Sequence, residues 1–198
     1  KLKDMGLENP KRYTVENVIK DTNYVLIIST NAGLWAYNTG DTIAFISLFP
    51  HRIIVTGRYK HFISAFGEHV IASEVEKSLK LALEKQPLEV NEFCVVPQVS
   101  PKKGLPFHEW WIEFKKPPSK SEIKKLSAAL DYQMQIHNIY YKDLIEGKVL
   151  KGLEIIALKE GVFKKYMKSK GKLGGQNKLP RLSNDRTVVE EIVLKTKV

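Results

Sequence analysis

A chain of 198 residues with 43% hydrophobic and 27% charged side chains can bury a real core, as one ordinary domain or two small ones, which excludes disordered and low-complexity classes. Its 32 Lys and Arg against 22 Asp and Glu leave a formal charge of +10, and from Lys148 to the end there are 13 basic against 5 acidic residues, so the excess sits in the tail. One cysteine, Cys94, excludes an internal disulfide framework and a four-thiolate metal site, and its simple home is a reducing cytosol.

The first apolar runs, Tyr24 to Ile28 and Ile43 to Phe49, are strand-sized and fall short of the roughly 20 residues of a membrane span, so no membrane partner is expected. Lys1 to Arg12 is charged and lacks the apolar stretch of a leader. Position 1 is not Met, and the chain is read as part of a longer protein. Tyr24 to Ser29 predicts a strand, Asn31-Ala32-Gly33 a turn, and Leu34 to Asn38 a second strand. Thr39-Gly40-Asp41 reads as another break before Thr42 to Leu48, and Arg52 to Thr56 as a further strand closed by Gly57. Two successive hairpins, a small antiparallel sheet, fit this spacing.

Beyond Gly57 the pattern changes. Strand-like residues lie on both sides of Gly67, and Ser73 with Glu76 has the spacing of a capping box ahead of Val75, Leu79 and Leu83, so Ser73 to Lys85 predicts an amphipathic helix. Val90 to Val99 and Phe107 to Phe114 predict strands, a helix opens at Ser119 with Ile123, Leu126, Leu130 and Met134 on one stripe, and Leu153 to Leu158 predicts a last strand. The order strand, helix, strand, strand, helix, strand is that of a ferredoxin-like split βαβ unit. Glu160 to Lys170 and Arg186 to Val198 predict extra terminal helices, the latter begun by Asn184 or Asp185. The fold class is therefore α+β, with a β-hairpin region over residues 1–57 and a second domain over 58–198.

Three segments carry the chemistry. Tyr37-Asn38-Thr39-Gly40-Asp41 offers a carboxylate beside a turn glycine, where it can accept hydrogen bonds from vicinal hydroxyls, although Gly-Asp is also ordinary turn chemistry. Gly57 to Glu76 joins Arg58, Lys60, Gly67, Glu74 and Glu76 in one ungapped run, and Gly174 to Arg186 joins Gln176, Lys178, Pro180 and Arg181. The five histidines, His51, His61, His69, His108 and His137, show no paired metal-ligand spacing and read as surface or core-edge residues; no metal site is expected. Cys94 reads as a buried thiol, and Trp110 and Trp111 as one core and one interface residue.

Taken together, these segments resemble the adenylate-forming superfamily, and within it the C-terminal portion of the Gretchen Hagen 3 family of acyl acid amido synthetases. The resemblance implies that Asp41 holds the ribose hydroxyls of ATP with Tyr37 nearby, that Arg58 adds a second nucleotide contact, that Lys60 is the hinge of a mobile domain, and that Lys178 is the catalytic cation. It implies ATP with Mg²⁺, the metal's ligands lying outside this chain, carboxylic acid and amino acid substrates, and a large N-terminal domain of the same protein as companion, without which this piece should be inactive. Ala36 and Asn38 depart from arginines found beside the Tyr in many members, which leaves acyl and nucleotide details open. Ser64, Ala65 and Phe66 stand where coenzyme A ligases carry a Lys-Tyr-Lys run, which favours an amine acceptor. A thiol acceptor and a basic nucleic-acid module remain alternative readings. The latter is weakened because neither Asn91 to Val99 nor Phe107 to Phe114 shows the Gly-aromatic pattern of RNA-binding sheets.

Overall fold

A computed structural model describes the chain except residues 2, 3, 5, 6, 59–61, 64, 172–177, 197 and 198, and except the side chains of 58, 62, 195 and 196. It divides into two compact units, Lys1–Phe62 with Ile71–Ser73, and Ile63–Val70 with Glu74–Val198.

The first unit is built on β1 (Asn23–Ile28), β2 (Tyr37–Leu48) and β3 (His51–Arg58), an antiparallel sheet with β2 in the centre. Aromatic and β-branched residues supply both the strand propensity and the core. Tyr24, Ile43 and Phe45 are buried, Tyr13, Val18 and Leu26 pack against them, and Tyr24 meets Tyr13 and Phe45 edge to face at 5.4 and 6.2 Å. The predicted break at Thr39-Gly40-Asp41 is not a turn. Val25 pairs with Thr42 and Ile27 with Asn38, so three residues of β2 bulge opposite Leu26 alone, within one twelve-residue strand. Side chains satisfy the backbone that the ladder abandons there: Thr39 Oγ1 donates to the Leu26 carbonyl at 3.2 Å, the Asp41 amide donates to Thr39 Oγ1 at 3.1 Å, and the Gly40 amide to Asn38 Oδ1 at 2.9 Å.

The strand expected around Gly67 is reduced to two short pieces, β4 (Phe62–Ile63) and β5 (Val70–Ile71), which pair with each other. The main sheet of the second unit therefore has three strands in the order β6 (Val90–Gln98), β7 (Phe107–Phe114), β8 (Glu154–Leu158), antiparallel between β6 and β7 and parallel between β7 and β8. The helices are α1 (Ala72–Lys85), α2 (Lys120–His137), α3 (Ile139–Glu146), α4 (Val162–Ser169) and α5 (Thr187–Thr196). All eight positions of β7 are buried, so both faces of its sheet are covered. Trp110 and Trp111 accordingly both enter the core. Trp110 stacks on Phe93 at 5.6 Å, and Trp111 donates its indole N–H to Glu109 at 2.7 Å, so neither is the interface tryptophan expected from the strand period. On one side Cys94, Val96, Trp111 and Leu158 form a cluster with Val162 and Phe163 of α4, Val189 and Ile192 of α5, and Leu179.

The capping box expected at Ser73 and Glu76 is not what starts α1, because the helix begins one residue before Ser73 and Glu76 faces Arg181 at 3.0 Å. A capping box does form at α2: the Ser119 side chain accepts from the Glu122 amide, and the Glu122 carboxylate accepts from the Ser119 amide at 2.7 Å. At α5 the carboxylate of Asp185 accepts from the Thr187 amide at 3.0 Å, and that bond holds the Asp185 carboxyl below its usual range.

Candidate functional site: a bulged strand and an anchored lysine

Asp41 lies in the bulge that β2 makes against β1 and, on the other side of β2, stands directly across from Arg58 in the β2–β3 ladder, with Thr42 opposite Gly57 in the next pair. A separate shift in that ladder, where Thr42 pairs with Gly57 and Ile43 with Val55 so that Thr56 is passed over, sets this register. The loop-tip position expected for Asp41 is thus corrected: it is a half-buried strand residue, and its partner position is the last of β3. Under this pair the buried Thr56 hydroxyl donates to Thr42 Oγ1 at 3.0 Å. Gly57 has φ +150, and a Cβ there would meet Ala72 at an ordinary 3.5 Å, so the residue beside Arg58 is limited by conformation rather than by space. Tyr37, at the start of β2, pairs with Ile28 and is exposed. The structure thus brings the positions of Asp41 and Arg58 into register and keeps Tyr37 on the same strand as Asp41. The expected hinge, Lys60, lies outside the described residues, as do Gly174 to Asn177 of the third motif.

Lys178 is described and exposed. The segment immediately C-terminal to it is tied down. Leu179 is buried in the cluster around Trp111, Val95 donates its amide to the Arg181 carbonyl at 2.9 Å, and Ser183 donates to the Val95 carbonyl at 3.0 Å, adding a short parallel bridge at Leu182 to the edge of β6. Arg181 lies 4.7 Å over the Phe93 ring and pairs with Glu76 and Glu92. An exposed ammonium on a pinned segment keeps a defined starting point while its own chain stays in water.

Sequence reasoning missed a buried polar cluster in the second unit. Glu68 and His108 are both fully buried and 2.8 Å apart, Nε2 to Oε1, which corrects the reading of His108 as a surface or core-edge histidine. The signal available was its place in Phe107 to Phe114, a strand too apolar to leave one face in water. Burial raises the Glu68 pKa, but the hydrogen bond and charge of His108, with the Phe66 amide at 2.8 Å, outweigh it and hold the carboxyl below its usual range. Burial also pushes the Cys94 thiol up to about 12, with Asp185 adding to the effect. Among the described residues no three His, Cys, Asp or Glu side chains gather as a metal site, and no helix is long and apolar enough to cross a membrane.

These observations define a class, a two-unit α+β chain whose small antiparallel sheet precedes a helix-covered mixed sheet. Residues 1–58 match the GH3 family central domain and residues 68–187 the GH3 family C-terminal domain. The chain belongs to the GH3 family, the Gretchen Hagen 3 family that its motifs resemble. Among solved structures it is similar to a GH3.15 acyl acid amido synthetase, with 18% identity and a TM-score of 0.70 over 92% of this chain and 35% of the other. It is also similar to the AtGH3.15 acyl acid amido synthetase in complex with 2,4-DB, with 19% identity and a TM-score of 0.67 over 91% of this chain and 33% of the other. These likenesses concern the fold, and the chain spans about a third of the length of either structure. No curated protein matches it.

Proposed function

We propose that this chain is the C-terminal part of an ATP-dependent ligase that activates a carboxylic acid as its acyl adenylate and passes the acyl group to the amine of an amino acid. In the first reaction a carboxylate oxygen attacks the α-phosphorus of ATP and pyrophosphate leaves. In the second the amine nitrogen attacks the acyl carbon, AMP leaves with the bonding pair, and the nitrogen loses a proton. Asp41 is assigned to the ribose hydroxyls, Tyr37 and Arg58 to further nucleotide contacts, and Lys178 to the crowded charge between carboxylate and α-phosphate. A carboxylate approaching a phosphate joins two anions, and a positioned cation lowers that repulsion most where the charges converge. The Mg²⁺ that accompanies the triphosphate is assigned no ligand in this chain.

The observation that carries this reading is the β2–β3 register, which sets Asp41 opposite Arg58 in a chain of the GH3 family. Residues 1–57 are then the end of the larger domain, residues 58–198 the mobile domain, and Lys60 its pivot; the protein works in the cytoplasm. The test is made in the full-length protein with Lys178→Ala. ATP–pyrophosphate exchange should fall roughly 10²-fold or more with the melting temperature unchanged, because the residue is exposed. Wild-type exchange in that variant removes Lys178 from the chemistry. Product with amino acids and none with coenzyme A separates the amine from the thiol acceptor. Lys60→Pro, if Lys60 is the pivot, should depress the two half-reactions unequally.

A further inference from the structure

Two of the motifs singled out in the sequence meet in the second unit. Glu76, from the run that follows Gly57, and Arg181, three residues beyond Lys178, form an ion pair with Nε 3.0 Å from Oε1. The same guanidinium pairs with Glu92 of β6, lies 4.7 Å over the Phe93 ring and donates an Nη1–H to the Phe93 carbonyl at 3.4 Å. Glu92 in turn accepts from the Phe93 amide at 3.1 Å. The Arg181 backbone is held two residues further along the same strand, its carbonyl accepting from the Val95 amide at 2.9 Å. One residue therefore ties α1, β6 and the segment that carries Lys178 together.

The Arg181 side chain is 32% exposed and that of Glu76 54%, and ion pairs in contact with water add little to stability. Their effect on geometry is larger. A guanidinium is planar with donors in fixed directions, so two carboxylates and a ring face set both its place and its tilt, which an ammonium would not reproduce. Between Arg181 and Lys178 stand only Leu179, buried in the Trp111 cluster, and Pro180, whose ring fixes its own φ and disfavours helical backbone at Leu179. Three residues of chain reach at most about 10 Å, so the anchor and the lysine are joined by a short, stiff link. We propose that Arg181 is the positioning residue of Lys178, fixing the lysine for formation of the acyl adenylate and taking no part in transfer to the amine. This rests on the function proposed above, in which Lys178 serves the first reaction. A shift of about 1 Å in a reacting group costs up to about 10²-fold in rate, so loosening the anchor is felt in the chemistry before it is felt in the fold. The competing role is structural: β6 is an edge strand, and Arg181 and Glu92 cover the Phe93 backbone on its outer side.

The experiment uses the full-length protein with Arg181→Met, Arg181→Lys and Glu92→Gln, and Lys178→Ala as reference. In Arg181→Met the kcat of ATP–pyrophosphate exchange should fall roughly tenfold or more, with KM for ATP within about twofold of wild type. Its melting temperature should stay within about 4 °C of wild type. Arg181→Lys, which keeps the charge without the fork, should lose nearly as much, and Glu92→Gln, which removes one of the two carboxylates, should lose less. Amide formation from supplied acyl adenylate should stay within about twofold in all three, because Lys178 acts in the other reaction. The double variant Arg181→Met with Lys178→Ala should be no slower in exchange than Lys178→Ala alone, since a residue that acts through the lysine has nothing left to position. Additive losses in the double variant overturn the proposal. Equal loss of both half-reactions in step with the melting temperature also overturns it, in favour of a cover for the β6 edge. Impaired exchange in Lys178→Ala with normal exchange in Arg181→Met sinks the positioning role and leaves the functional reading standing. Normal exchange in Lys178→Ala sinks the functional reading and the positioning role with it.

Discussion

At the scale of single residues, two positions carry more consequence than their size implies. Gly40 has φ +79 inside the bulge that β2 makes against β1, next to Asp41, and no neighbour approaches a Cβ there, so a substitution meets backbone strain rather than a clash. Gly40→Ala should cost about 1 kcal/mol of stability. If the proposed function holds, it should also weaken nucleotide binding by more than the stability loss explains, which isothermal titration of the full-length protein checks against Thr39→Ser as a control that keeps the hydroxyl bonds. The second position is Glu68. Its carboxyl is held below the usual range when folded, so the unfolded state binds the extra proton first as acid is added. The stability it contributes is fully present above its unfolded value near 4.5 and is lost as pH falls through the lower folded value. Urea denaturation between about pH 6 and pH 3 should show a falling midpoint in wild type and a shallower fall in Glu68→Gln; parallel curves would mean the pair contributes nothing to acid sensitivity.

At the scale of elements, caps separate what the amino-acid pattern reveals from what it hides. Ser73 with Glu76 and Ser119 with Glu122 have identical spacing, yet only the second pair is a cap. Ser119→Ala should cost about 1 kcal/mol, and Ser73→Ala within 0.5, a difference thermal denaturation of the two variants resolves. The pattern was ambiguous because a capping box is local, whereas the start of α1 is shared with β5, and Glu76 is claimed by Arg181, 105 residues away in sequence. Helices with apolar stripes, such as Leu126, Leu130 and Met134, were legible for the opposite reason: periodicity needs no distant partner. α3 was not, since it is short and Asn138 serves as both the C-cap of α2 and the N-cap of α3, which hides the boundary. Thr39-Gly40-Asp41 read as a turn because a bulge and a turn ask for the same residues, and only the register with β1 tells them apart. The motifs that hold Tyr37, Asp41, Arg58 and Lys178 stand in the sequence as residue types at fixed spacing, and the structure adds only the register of Asp41 with Arg58. The Glu68–His108 pair was not, because nothing local to either residue names the other.

At the scale of the whole molecule, the two units differ in how much apolar surface each conceals. The second has β7 buried throughout and a nine-residue cluster joining both terminal helices to its sheet. The first has a smaller cluster, Tyr24, Ile43 and Phe45, with Ala44 and Ile71 also buried among its described residues, and leaves Ile27, Ile46, Leu48, Ile53, Ile54 and Val55 of its strands exposed. Burial contributes roughly 25 cal/mol per Å² of apolar area, so the unit with the smaller core opens at lower free energy. Native-state hydrogen exchange of this 198-residue chain should therefore show β1–β3 amides exchanging at low denaturant while β7 and α2 amides stay protected to the main transition. Backbone amides of Val95 and Ile112 report the slow unit, and those of Ile43 and Phe45 the fast one. A single protection level across all four would mean that the chain unfolds as one cooperative body. In the full-length protein, added chain covering the exposed strand residues should raise protection of Ile43 and Phe45 toward that of Ile112; no rise would leave the exposed face of β2 and β3 without a partner in the same protein.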